Sequence, residues 1–131
     1  MKDLSHAIEI MQQAVKLTPV DHPNYAGYLC NLGMVLQRRF EMMGSIKDLD
    51  QAIDTNEQAV KSTPLDHPDY AVFLNNLASS LLSGFERTGS SEDLDHAIAK
   101  SMQTVESVPM DHPDRAGYLN NLEIDSKGRD R

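Results

Sequence analysis

Apolar residues return along this chain at helical spacing, in runs closed by glycine or proline. Tyr25, Leu29, Leu32, Leu36, Phe40 and Met43 fall on one face of a helix, and Gly44 follows them, as glycine is favoured just past a helix end. Leu49, Ala52, Ile53, Ala59 and Val60 make a second stripe, which Thr63-Pro64 stops because a proline cannot continue a helix. Read end to end, the pattern predicts helices over 3–17, 23–43, 46–62, 68–88, 91–107 and 113 to about 126.

The stripes are copies of one another. Asp21-His22-Pro23 returns as Asp66-His67-Pro68 and Asp111-His112-Pro113, 45 residues later each time. Asp3-Leu4, with Ala7-Ile8 behind it, returns as Asp48-Leu49 with Ala52-Ile53 and Asp93-Leu94 with Ala97-Ile98. Phe40 matches Phe85, Gly44 matches Gly89, and Pro19 matches Pro64 and Pro109. Roughly half of the positions in the first two full units are identical. Collinear markers at one fixed period are the signature of a repeat architecture.

The helix ends carry their own signals. Pro23, Pro68 and Pro113 suit a first helical turn, where the missing N–H costs nothing, and Asp21 or His22 is placed to cap. Asp69 and Asp114 favour the positive helix end. Ser45 with Asp48, and Ser90 with Asp93, have the spacing of a capping box, with aspartate in place of glutamate.

These residues resemble the tetratricopeptide repeat. Leu29, Leu32-Gly33 and Leu36 fit the pattern of its first helix, and Leu74, Leu77-Ala78 and Leu81 fit it again. Ala52, Ala59 and Pro64 keep the spacing of its second helix, as do Ala7, Ala14 and Pro19; Ala97 and Pro109 follow with Thr104 in the middle position. The small residues Gly33, Ala52 and Ala59 would let helix axes approach closely. The unit here is longer than the family's 34 residues, with the extra length between Leu36 and Ala52. In that respect it looks like the kinesin-light-chain type of repeat, and more like long arrays in fungal proteins that carry nucleotide-switch or caspase-like modules elsewhere. HEAT and armadillo repeats share a period near 45 residues, but the Ala-Ala-Pro spacing favours the tetratricopeptide reading. The resemblance implies an all-α fold, an α-solenoid of antiparallel helix pairs. It would form one domain over 1–131, with a half repeat 1–20, repeats 21–65 and 66–110, and a partial repeat 111–131.

Composition narrows the function. The formal net charge of −8 weighs against nucleic acid and anionic membrane as partners, because both are bound by basic surfaces. No apolar run approaches the length needed to span a bilayer, and the amino-terminal residues carry no secretion signal. The one cysteine, Cys30, allows no internal disulfide and fits a reducing compartment, so a cytoplasmic location is expected. Cys30 occupies a slot filled by Asn75 and Asn120 in the other copies. The three Asp-His pairs have metal-binding residue types, but each sits before a proline in a different repeat and cannot converge on one ion. His6 and His96 read as solvent-facing helix positions. No Gly-x-Ser-x-Gly motif, phosphate-binding loop or paired acid and base is present, so neither an enzyme nor a cofactor is expected.

The repeated asparagines are the strongest functional signal. Asn31, Asn76 and Asn121 align at the period, and Asn75 and Asn120 precede two of them. Asparagine forms helix poorly, so its return in mid-helix needs a reason: bonding across to a neighbouring helix, or serving a ligand. The family resemblance implies that first helices line a concave groove, where such an asparagine bonds the backbone of an extended peptide. Asn31, Asn75, Asn76, Asn120 and Asn121 are therefore groove candidates, with Tyr28, Phe73 and Tyr118 as apolar neighbours that could equally be core. Arg38 and Arg39 become Ser83 and Gly84 in the next copy, so a two-lysine carboxylate clamp is not supported. A scaffold that binds a protein or peptide is the expected function. The alternative is a self-assembling repeat protein: the chain opens on a second helix and closes on a first one, and after Leu122 a polar tail begins, so terminal helices of different copies could complete one another.

Overall fold

Six helices form where the apolar stripes and their punctuation place them. In the computed structural model, which describes residues 2–127, they are α1 (Lys2–Leu17), α2 (Tyr25–Met43), α3 (Ile46–Lys61), α4 (Tyr70–Thr88), α5 (Ser91–Glu106) and α6 (Arg115–Lys127). No strand occurs among the described residues. The chain resolves into two compact units that divide between Pro64 and Leu65, one residue before the boundary of the repeats 21–65 and 66–110. The first holds α1 to α3 and the second α4 to α6.

In the first unit α2 pairs with α3 and α1 packs on α2. Ile8, Leu32, Leu36 and Ala52 form the buried cluster, with Met11, Val15 and Val35 against it. Ala52 and Ala59 are 0% and 1% exposed, as close helix packing requires. Gly33 is the point of nearest approach. A methyl group there would run into Asn56 on α3, touching its Oδ1 and lying 2.9 Å from its Cγ. In the second unit α4 pairs with α5, and α6 packs on α5. Leu74, Leu77, Ala78, Leu81, Leu94 and Ala97 are buried there. A separate cluster joins Ala71, Val105, Val108 and Tyr118, with Leu122 against it. Thr104, in the position of Ala59, stays buried because its hydroxyl donates to the Lys100 carbonyl at 2.8 Å.

The carboxyl ends of the long helices match expectation. Gly44 and Gly89 adopt φ 73° and 75°, and their N–H groups donate to the carbonyls of Phe40 and Phe85. The amino ends differ. Helices expected from Pro23, Pro68 and Pro113 begin two residues later, at Tyr25, Tyr70 and Arg115. The intervening residues make a turn in which the His22 N–H donates to the Pro19 carbonyl at 2.9 Å and the Tyr25 N–H donates to the His22 carbonyl at 3.0 Å. Proline disfavours helical geometry in the residue before it, which places the histidine in the turn. The histidine, rather than the first aspartate, supplies the side-chain acceptor: Nδ1 of His22, His67 and His112 accepts the N–H of Asn24, Asp69 and Asp114, each at 3.0 Å.

Half of each expected capping box forms. Ser45 and Ser90 accept the N–H groups of Asp48 and Asp93 at 3.4 Å and 3.3 Å. In the first repeat the return bond does not form, because Asp48 turns its carboxylate to Arg39. The polar stretch after Leu122 continues as helix to Lys127, while the rest of that tail, residues 128–131, lies outside the described residues.

Candidate functional site

The asparagines are distributed over α2, α4 and α6, and their surroundings differ. Asn31 and Asn120 are exposed; Asn75, Asn76 and Asn121 are half-buried. Asn121 Nδ2 donates to Asn75 Oδ1 at 3.1 Å, a bond from α6 to α4 within the second unit. It leaves Asn75 Nδ2 and Asn121 Oδ1 without hydrogen bonds among the described residues. Of the aromatic neighbours, Tyr28 is half-buried, while Phe73 and Tyr118 are 6% and 8% exposed and belong to the interior. Burial, with Asp114 nearby, raises the Tyr118 phenol above its ordinary value.

The asparagine pair borders a half-open cleft of about 190 Å³. Ala78, Ser79 and Leu82 of α4 form one wall, Ile124 and Asp125 of α6 the other, and Ser101 of α5 the floor. Asp125 is 4% exposed and Ser101 2%. The Ser101 hydroxyl donates to Asp125 Oδ2. Burial is the main reason the Asp125 carboxyl titrates above the usual aspartate range; the Ser101 bond opposes that rise and the Glu86 charge adds to it. Neither residue stood out in the sequence, where Asp125 falls in the polar stretch after Leu122. The available signal was its spacing: Asp125 lies four residues past Asn121, on the same helical face.

A second polar cluster, also not anticipated, sits in the first unit. Arg39 holds Asp48 through two bonds, Nε to Oδ2 at 2.8 Å and Nη2 to Oδ1 at 2.7 Å, and its Nη1 donates to Ser5 at 3.3 Å. Asp48 is 4% exposed, so the guanidinium neutralises a largely buried carboxylate. Its bond to Asp48 raises the Arg39 value further, and the pair stays charged on the arginine side at any ordinary pH. At the equivalent positions of the next repeat stand Gly84 and Asp93, so the arrangement belongs to the first repeat.

No group of three or more potential metal ligands occurs among the described residues. No described helix is long and apolar enough to cross a membrane.

The helix pair α2–α3, its Ala-Ala-Pro spacing and its close contact at Gly33 are now joined by a direct comparison. The family model for the tetratricopeptide repeat matches residues 26–69. That segment is a tetratricopeptide repeat. The match spans α2, α3 and the turn leading to α4, and the 45-residue period carries the same pattern over the neighbouring residues. The chain is thus an all-α, tetratricopeptide-like helical repeat array. Repeats of this family generally mediate contacts between proteins and are typically not enzymes. No curated protein matches the chain.

Proposed function

We propose that this tetratricopeptide array is a scaffold that holds an extended segment of a partner polypeptide, and that the Asn75–Asn121 pair beside the cleft is one of its contact points. A peptide group carries one donor and one acceptor, and so does the unused part of this pair: Asn75 Nδ2 donates and Asn121 Oδ1 accepts. Their mutual bond at 3.1 Å orients both amides before a ligand arrives, which lowers the ordering cost of binding. Asn76 and Asn120 are further candidate backbone contacts in the second unit, and Asn31 with Tyr28 is a separate candidate in the first. Phe73 and Tyr118 support this surface from within rather than touch the ligand. A cytoplasmic setting accords with the single cysteine, and no cofactor, metal or catalysis is part of this reading.

Selection from a random peptide library on the intact protein tests the proposal. Peptides should be enriched that bind with micromolar affinity, and Asn75→Ala and Asn121→Ala should each weaken them about tenfold. Binding unchanged in both variants would remove the asparagine pair from the site.

Self-association is a second reading. It draws on apolar side chains left in water: Ile10 and Leu17 of α1, 52% and 84% exposed, and Leu119 and Ile124 of α6, 45% and 46%. Light scattering over a concentration series decides it. A mass of 14.6 kDa throughout excludes it; a mass that rises, and that falls back when residues 1–17 are removed, supports it.

A further inference from the structure

We propose that the cleft between α4 and α6 takes the cationic side chain of a lysine or arginine in a bound polypeptide, with Asp125 as its anchor. This inference rests on the peptide-binding reading above and adds the chemistry of the bound segment.

Asp125 is a buried carboxyl group with no cation beside it among the described residues. Asp125 is 4% exposed, and only one of its oxygens has a partner, the Ser101 hydroxyl. Oδ1 makes no hydrogen bond among the described residues. Among the described residues no lysine or arginine lines the cleft, and the ion pairs found there, Arg39–Asp48 and Lys127–Glu123, leave Asp125 out. Glu86 adds negative charge nearby. A buried carboxylate without a cation is costly, and a donor carrying positive charge removes that cost.

Shape selects among cations. At about 190 Å³ the cleft is smaller than the 300–1,000 Å³ typical of small-molecule sites, so it suits one side chain rather than a whole metabolite. A divalent metal would need several oxygen ligands, and the cleft offers one carboxylate. Its apolar walls, Ala78, Leu82 and Ile124, suit the methylene stem of lysine or arginine, which is buried while the charged head seeks a polar partner. Asn75 and Asn121 at the rim are left to hold the backbone on either side of that residue. The net charge of −8 draws a basic segment toward the chain from a distance.

The test uses five-residue peptides with blocked ends, acetyl-Ala-Gly-X-Gly-Ala-amide, in which X is lysine, arginine, methionine or glutamate. Binding is followed by the NMR shifts of the Asn75 and Asn121 side-chain amides in the full-length protein. The lysine and arginine peptides should bind at least about tenfold more tightly than the methionine peptide, and glutamate least of all. Asp125→Asn keeps the shape of the side chain. It should unfold at higher urea concentration than the parent at neutral pH, yet lose the preference for lysine and arginine, a combination that a purely structural residue would not give. Equal binding of the lysine and methionine peptides overturns the inference and leaves the backbone-binding reading standing. No shift with any peptide overturns both. A preference that survives Asp125→Asn assigns the cation to another group and also overturns the inference.

Discussion

Changing Gly33 to alanine sets two effects of known sign against each other. In an isolated helix alanine is favoured over glycine by about 1 kcal/mol. Here the added methyl group would meet the end of a buried side chain, which must shift to admit it. Its carbon would lie 2.9 Å from Asn56 Cγ and 3.3 Å from Nδ2, inside ordinary contact distance, and Asn56 is 2% exposed. Overpacking of a tight core costs about 1–3 kcal/mol, and disturbing a buried amide adds a cost of similar size. The net expectation is a loss of about 1–5 kcal/mol, read as a lower urea midpoint and a melting temperature lower by roughly 4 °C for each kcal/mol. The second repeat shows the compensation. At the positions 45 residues on, glycine has become Ala78 and asparagine has become Ser101, each 2% exposed. The added methyl group coincides with a smaller facing residue. Asn56→Ser should therefore restore much of what Gly33→Ala removes, with a coupling of at least about 1 kcal/mol in the double-mutant cycle. Circular dichroism at 222 nm during urea unfolding measures all four species. A Gly33→Ala variant more stable than the parent, or a double variant that is merely additive, would refute the account.

Other perturbations have equally definite outcomes. Arg39→Ala strands Asp48 in a site 4% exposed; because the arginine itself is 24% exposed, the loss should be about 2–3 kcal/mol, and Asp48→Asn on top should recover part of it. Asp125 titrates above its unfolded value, so its share of stability is complete below the unfolded value and is lost as pH rises through the folded one. The urea midpoint of the second unit should accordingly rise as pH falls from neutral into weak acid, and Asp125→Asn should flatten that slope; a slope unchanged in the variant would count against the assignment. His67→Ala removes the acceptor for the Asp69 N–H and should cost about 0.5–1 kcal/mol, seen as faster exchange of that amide. Gly89→Ala places a side chain at φ 75° and should cost about 1 kcal/mol or more, with the α4–α5 junction affected first.

Features governed by local rules could be read directly from the residues. Gly44 and Gly89 end their helices because a left-handed residue is needed there, and Ser45 and Ser90 open the next ones because a hydroxyl can reach the third N–H. The helices begin two residues after Pro23, Pro68 and Pro113 because the histidine before each proline builds a turn there instead of a helix start. The site was less legible, since its bonds join residues far apart in the chain. Arg39 meets Ser5 across 34 positions, Ser101 meets Asp125 across 24, and Asn121 meets Asn75 across 46. Asn75 and Asn121 could be singled out because their type is odd in a helix. Asp125 could not, because an aspartate near a helix end is ordinary and only tertiary packing buries it.

The Asp-His-Pro turn has a consequence for how such a chain can grow. Its hydrogen bonds run between Pro19, His22, Asn24 and Tyr25 in the first copy, and between Pro109, His112, Asp114 and Arg115 in the third. A joint that satisfies itself over so few residues makes little demand on the helices on either side. The Gly33–Asn56 trade lies wholly inside one 45-residue period, so a duplicated period arrives with its own fitted partners. Recombination that cuts within the turn can therefore lengthen or shorten the array by whole periods, and drift can then retune each copy separately. The Ser101–Asp125 bond joins residues of two successive periods, so a specialised cleft of this kind would have to arise after the copies were already in place.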